Sequence, residues 1–358
     1  MANLLNELLK STGNEFVSIV EDGIDGGDIT GFIDTGSYAF NALISGSIYG
    51  GIPNNKITAF AGEQATGKTF FALSIVKNFL ELDPKSNCLY FDTESALTKQ
   101  MFIERNIDPK RVAVIGISTV EEFKNQVLQI LNTYEKLSAK ERKPIFIVLD
   151  SLGMLSTNKE MADAEKGSDK KDMTRAQIIK SAFRVLTLKC GKLGVPILLT
   201  NHTYDVIGSM FPTKEMGGGG GLKYAASTII FLGKKKDKDG TERVGSIIPC
   251  KTYKSRLTKE EMRVEVRLRF DTGLQPYDGL LELADAAGIF KKVSTKYEIN
   301  GKKYFAKTIM NDPETYFTQD ILDQIEEFCP KYFGFGSTVT YINGEENGEE
   351  QQEEQEEE

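Results

Sequence analysis

Tryptophan is absent from this 358-residue chain, histidine occurs once and cysteine four times. Cys88, Cys190, Cys250 and Cys329 lie far apart, so neither a zinc ribbon nor a disulfide framework is indicated, and buried free thiols in a reducing compartment are expected. No stretch approaches the roughly 18 apolar residues that a membrane span requires. The opening MANLLNELLK has neither a basic leader region nor a cleavage site, so a cytoplasmic location without a membrane partner is expected. Positive charge is also in deficit. The formal net charge of −8 on its face argues against a nucleic-acid partner.

That deficit is local. Nine glutamates and no lysine or arginine lie in the terminal GEENGEEQQEEQEEE, and without them the formal charge rises from −8 to +1. Residues 337–358 carry like charges and little to bury, so a disordered acidic tail is expected. Such a tail serves solubility, or acts as an acidic mimic that competes for a basic groove. The remainder, in a chain that is 40% hydrophobic, is long enough for one α/β domain of roughly 200 to 250 residues with smaller elements at either end.

NLLNELLK reads as a short amphipathic helix with Leu4, Leu5, Leu8 and Leu9 on one side, in need of a partner surface. Residues 13–36 hold six glycines and read as a linker. Apolar strand candidates at 56–61, 88–92, 112–115, 144–150 and 195–201 then alternate with helical stretches near 68–82, 96–105, 120–137 and 173–190. Apolar strands separated by crossover helices imply a mostly parallel sheet covered on both faces, with ligands at the carboxyl ends of its strands. Further strands, partly antiparallel, follow up to about 270. Residues 276–336 read as a small helical appendage with a β-hairpin at Asn300-Gly301.

Four motifs fall at strand ends. GEQATGKT places Gly62, Gly67, Lys68 and Thr69 in the G-x-x-x-x-G-K-T spacing between a strand and a helix. In such a loop, Gly62, Glu63, Gln64, Ala65, Thr66, Gly67, Lys68, Thr69 and Phe70 wrap phosphates, Lys68 reaches the terminal ones and Thr69 holds Mg2+. Asp150 ends the apolar run PIFIVLD and suits the outer Mg2+ shell. CLYFDTES ends a strand with Asp92 and Glu94, either of which could orient an attacking water. In PILLTNHTYD, Asn201 and His202 are placed to hydrogen-bond a γ-phosphate.

Together these residues resemble the RecA family of DNA strand-exchange ATPases, most closely its bacteriophage UvsX-like branch, over about residues 34–278. The resemblance implies a RecA-like P-loop core at 34–275, an N-terminal helix and linker at 1–33 for contact between subunits, a small C-terminal domain at 276–336 and the tail. It selects Glu94 over Asp92 as the catalytic carboxylate and makes His202 the residue that reports ATP to a DNA loop. A tyrosine common near the adenine in this family has Met101 and Phe102 in its region here. Lys254 and Arg256 in CKTYKSRL have the alternate spacing of the basic pair that reaches the γ-phosphate from a neighbouring subunit. The implied activity is ATP hydrolysis, with Mg2+, driving assembly on single-stranded DNA into a helical filament, homologous pairing and strand exchange with a duplex. A single-strand-binding protein and a recombination mediator are the implied partners, in the host cytoplasm if the chain is phage-encoded. A RecA-fold hexameric helicase, or a DNA-coating protein with a nucleotide switch, is the alternative.

Two segments are the expected DNA surface. The first follows Asp150 and offers Lys166, Lys170, Lys171 and Arg175 among interleaved acids, with Lys180 and Arg184 on the next helix. The second runs from 204 to 221 and holds Met210, Phe211, Lys214 and the glycines Gly217, Gly218, Gly219, Gly220 and Gly221, read as a compliant contact surface before a helix whose free N–H groups can meet a phosphate. Neither segment has a pattern for reading base edges, which fits binding without sequence preference.

Overall fold

The computed structural model describes residues 8–9, 18–24, 26–168, 172–205, 214–217, 220–270 and 272–335. Leu4 and Leu5 of the expected N-terminal helix, Lys170, Lys171, Met210, Phe211, Gly218, Gly219 and the acidic tail lie outside them; Leu8 and Leu9 are helical.

A two-stranded ribbon of β1 (Phe32–Ile33) and β2 (Ile52–Pro53) brackets α1 (Tyr38–Ser45). That helix starts where the Ser37 hydroxyl accepts from Phe40 N, and it stops at Gly46 in the left-handed conformation. The alternation then follows: β3 (Ile57–Gly62), α2 (Lys68–Leu82), β4 (Asn87–Asp92), α3 (Lys99–Ile103), β5 (Val112–Gly116), α4 (Val120–Lys136), β6 (Ile145–Asp150), α5 (Asn158–Glu165), α6 (Arg175–Leu193) and β7 (Ile197–Asp205). Helix α4 is capped by Thr119, carries Glu121 and Glu122 in its first turn and Lys136 in its last, and buries Val120, Phe123, Val127 and Leu131 at helical spacing. β8 (Lys214–Met216), α7 (Gly220–Ala225) and β9 (Thr228–Leu232) lead into the antiparallel strands β10 (Lys235–Asp239), β11 (Glu242–Ser255), β12 (Arg263–Arg269) and β13 (Gly273–Leu274).

The main sheet runs β13-β12-β11-β9-β3-β7-β6-β4-β5, with β10 on β11 and β8 on β7. From β9 to β5 every pairing is parallel, and the additions are antiparallel. The α/β fold with a mostly parallel central sheet is therefore present. β3, β7 and β6 are buried along nearly their whole length, as a sheet covered on both faces requires. One face packs on α1 and α2, the other on α4, α6 and α7.

The C-terminal appendage comprises α8 (Leu280–Ala286), β12-independent strands β14 (Lys291–Val293), β15 (Lys296–Ile299) and β16 (Lys302–Phe305), then α9 (Ala306–Asn311), α10 (Pro313–Tyr316) and α11 (Gln319–Phe333). Its hairpin turns at Asn300-Gly301, both with positive φ, a type I′ signature. Leu280, Phe290, Ile309, Leu322 and Phe333 join the apolar core that holds α1 and α2. Glu326 adds a tie by accepting from Ile48 N at 2.7 Å. All four cysteines are buried free thiols, and burial pushes Cys190 up to about 12. Among the described residues no helix is long and apolar enough to cross a membrane.

Candidate functional site

The carboxyl ends of β3, β4, β6 and β7 are neighbours in the sheet, and their register sets Asp92 opposite Asp150 and Gly62 opposite His202. This convergence brings together four motifs that are distant in sequence. Gly67 opens α2 with φ +90°, and a Cβ there would sit 2.7 Å from Leu268, so the loop's last bend requires glycine. Lys68, only 7% exposed, donates to Gly62 O at 3.0 Å and Glu63 O at 2.8 Å. Its burial lowers the ammonium's pKa, opposed by Asp150 and then Glu94. A half-desolvated cation inside a curl of backbone suits phosphate oxygens.

Asp150 accepts from Thr69 Oγ1 at 2.7 Å and Tyr90 Oη at 2.8 Å, both on Oδ2, and from Thr200 Oγ1 on Oδ1. Hydroxyl and carboxylate oxygens beside a phosphate loop are the hard donors that magnesium takes, so Thr69 and Asp150 fit the ion.

Spacing alone leaves Asp92 and Glu94 equivalent, but their surroundings differ. Asp92 is buried and accepts from Glu94 N at 3.0 Å and Leu97 N at 3.3 Å, so it shapes the turn. The Glu94 side chain is 42% exposed, accepts from Ser151 Oγ at 3.3 Å and lies 3.6 Å from His202 Nε2. A carboxylate that is held but reachable can orient a water.

The strand end continues into the glycine segment. Asn201 Oδ1 accepts from His202 N at 2.9 Å, Asn201 Nδ2 donates to Gly217 O at 2.9 Å, and Gly217 N donates to His202 O at 3.1 Å. β8 pairs antiparallel with β7, setting Lys214 opposite Asp205, and the Lys214 ammonium is paired with Glu63 of the loop between β3 and α2. Lys214 lowers the Glu63 pKa, first through the hydrogen bond and then through its charge. Neither the β8 pairing nor this ion pair is visible in the sequence, which carries no local signal for a contact 151 residues apart.

Several expected residues sit differently from their sequence reading. Gly220 and Gly221 belong to α7 instead of the loop, and a Cβ on Gly221 would lie 2.7 Å from Lys180 N of α6. Phe102 is 4% exposed and packs edge-on against Tyr90, with no face free for a base, and half-buried Met101 packs on the same core. Phe70, already read as part of the nucleotide loop, and Phe270, which the sequence reading missed, are both exposed and line a cavity of 810 Å³ with Arg105, whose guanidinium lies 4.4 Å from the Phe70 centroid. Phe270 lies 200 residues beyond Phe70 and directly follows an ordinary alternating strand, β12, so only folding discloses the pair.

Arg175 turns inward and donates to Gly153 O at 3.1 Å and Leu155 O at 2.6 Å, bracing the segment after β6. Lys166 is exposed at the end of α5, and Lys180 lies over the exposed Tyr224 ring at 5.2 Å. Lys254 donates to Ala226 O at 2.7 Å and to Lys223 O, and Arg256 donates to Tyr224 O at 3.2 Å. Both cations thus cap the C-terminal end of α7 within the chain, and burial lowers the Lys254 pKa. Lys251 is paired with Glu261 at 2.6 Å.

Comparison with known proteins gives a consistent match. Residues 2–275 match the model of the RecA N-terminal domain. The chain is 33% identical over 252 residues to the recombination and repair protein of enterobacteria phage T4, covering 70% of this chain and 63% of that protein, which is under two thirds of its length. It is 27% identical over 308 residues to the RecA protein of Deinococcus radiodurans, covering 82% and 78%, and 26% identical over 323 residues to that of Thermus aquaticus, covering 88% of each.

Proposed function

Because the chain belongs to the RecA family, in which nucleotide binding, ATP hydrolysis, DNA binding and self-assembly are general, we propose that it is an ATP-dependent recombinase. It assembles on single-stranded DNA as an open helical filament and catalyses homologous pairing and strand exchange with a duplex. The observation that carries this reading is the short path from Glu94 through His202 and Asn201 to Gly217. It links a water-orienting carboxylate to the start of the glycine segment within one strand end. Nucleotide occupancy can thereby bias a DNA-contacting loop.

Lys68 and the loop N–H groups bind the phosphates, Thr69 would hold magnesium, and Asp150 would serve its outer shell. Magnesium, when bound, supplies charge neutralisation at the phosphates. Glu94 orients the attacking water. Phe70 and Phe270 replace Met101 and Phe102 as the faces offered to the base. Lys254 and Arg256 leave the α7 carbonyls to complete the pocket of the next subunit across a head-to-tail interface that does not close. Lys166, Lys214 and the glycine segment meet DNA, with Lys170, Lys171, Met210 and Phe211 in the same loops. A single-strand-binding protein and a loading mediator are the proposed partners, in the cytoplasm of a host cell.

The test combines turnover with imaging. ATP hydrolysis stimulated by single-stranded DNA, and open filaments in electron micrographs with ATP and DNA, are expected. Lys68→Ala should abolish ATP-supported strand exchange. Closed rings, or exchange undiminished in Lys68→Ala, would reject the reading.

A further inference from the structure

Asp150 has an unusual third hydroxyl partner. Thr69 and Thr200 come from the phosphate-loop helix and from β7, whereas Tyr90 rises from the middle of β4, with a side chain fully removed from solvent. A strand tyrosine at such a position would ordinarily be read as core packing, and its ring does pack edge-on against Phe102, centroids 6.4 Å apart. The hydroxyl, however, reaches Oδ2 of Asp150 at 2.8 Å.

A carboxylate offers about four acceptor positions. Thr69 and Tyr90 occupy both on Oδ2, and Thr200 occupies one on Oδ1, which leaves a single position on Oδ1. Because a carboxylate can only accept, the Thr69 proton is committed to Asp150, and the Thr69 lone pairs are left for the ion. A carboxylate has no proton to give, so in this contact the Tyr90 hydroxyl is the donor.

We propose that Tyr90 is a positioning residue for magnesium: its hydroxyl saturates Oδ2 and so presents Asp150 to one metal-bound water through Oδ1. The inference rests on the nucleotide-site reading above. Outer-shell partners of this kind change metal affinity by roughly 10- to 100-fold when removed. Without the hydroxyl, Oδ2 regains a free acceptor position, and the carboxylate can rotate or draw the Thr69 hydroxyl away from the ion.

The test uses the full chain and a fluorescent, non-hydrolysable ATP analogue, titrated with Mg2+ and separately in EDTA. Tyr90→Phe keeps the ring and removes only the hydroxyl. The Mg2+ concentration giving half of the metal-dependent gain in analogue affinity is expected to rise about tenfold, with affinity in EDTA within twofold of wild type. An unchanged Mg2+ midpoint overturns the proposal. So does an equal fall in both affinities, which would make the hydroxyl a support for the fold only. Wild-type binding indifferent to Mg2+ would remove the nucleotide-site reading and this inference together, an outcome distinct from a normal wild-type response that Tyr90→Phe shares.

Discussion

Asp172 shows how much one side chain can decide. It lies in a segment whose acids read in sequence as diluting a basic patch, yet it is 5% exposed and accepts from Thr174 N at 2.9 Å, Thr174 Oγ1 at 2.7 Å and Thr157 Oγ1 at 2.9 Å. Thr157 caps α5 in a capping box with Glu160, so Asp172 clasps the base of the segment that follows β6. The Thr174 hydrogen bonds hold its pKa down at about 2, against an ordinary 3.8. A depressed carboxylate pKa gives stability that is complete above the unfolded value and lost as pH falls through the folded one. The clasp should therefore hold from neutral pH to about 3.8 and open as pH approaches about 2. Peptic cleavage within 158–172 is expected to begin only in that window, and Asp172→Asn should hasten tryptic cleavage at Lys166 severalfold at neutral pH. Equal cleavage in both chains would refute the clasp. Residue-scale chemistry was half legible: Lys68, Thr69 and Asp150 stand out by spacing, whereas the difference between Asp92 and Glu94 lies in their partners, backbone N–H groups for Asp92 and the Ser151 hydroxyl for the more exposed Glu94.

At the scale of elements, the glycine run divides into two parts with different requirements. Gly217 is held by the Asn201 and His202 strand end, while Gly220 and Gly221 are helical. Alanine at Gly220 would meet only Tyr224 Cε2 at 3.5 Å and should gain up to about 1 kcal/mol from helix propensity. Alanine at Gly221 gains the same propensity but drives its Cβ to 2.7 Å from Lys180 N and 2.8 Å from Lys180 Cα. Backbone of α6 must shift, at a cost of about 1–3 kcal/mol, which outweighs the gain. Thermal melts of the two variants should thus move in opposite directions; a rise in both would show that α6 and α7 do not need this close approach. Five identical letters cannot announce that difference, because it depends on which helix stands opposite. Lys254 and Arg256 teach the same lesson: their alternate spacing was legible, their α7 carbonyl partners were not.

For the whole molecule, charge distribution matters more than net charge. A body near neutrality with lysines at its loops, joined to nine clustered glutamates, should self-compete for DNA. Truncation after Tyr341 is expected to tighten single-stranded DNA binding, most strongly at low salt, where the Debye length is about 30 Å at 0.01 M. Fluorescence anisotropy across a salt series measures this, and equal affinity at every salt concentration would leave the tail with solubility alone. The appendage adds a point of architecture: Leu280, Phe290, Ile309, Leu322 and Phe333 are buried in the core of α1 and α2, so composition marked a segment whose packing is continuous with the body.

The alternation of strands and helices, the G-x-x-x-x-G-K-T loop and the order of the strand-end motifs are legible in the chain alone. These are recorded in local periodicity and spacing, and the parallel sheet follows from them. The tertiary structure alone decided which strand ends are neighbours, and with that the Tyr90 hydroxyl on Asp150, the pairing of Glu63 with Lys214, and the exposure of Phe70 and Phe270 beside one cavity. The physical reason is that hydrogen bonds and ion pairs act over a few ångströms of space, and no local pattern encodes a partner that the chain reaches only after the sheet has closed.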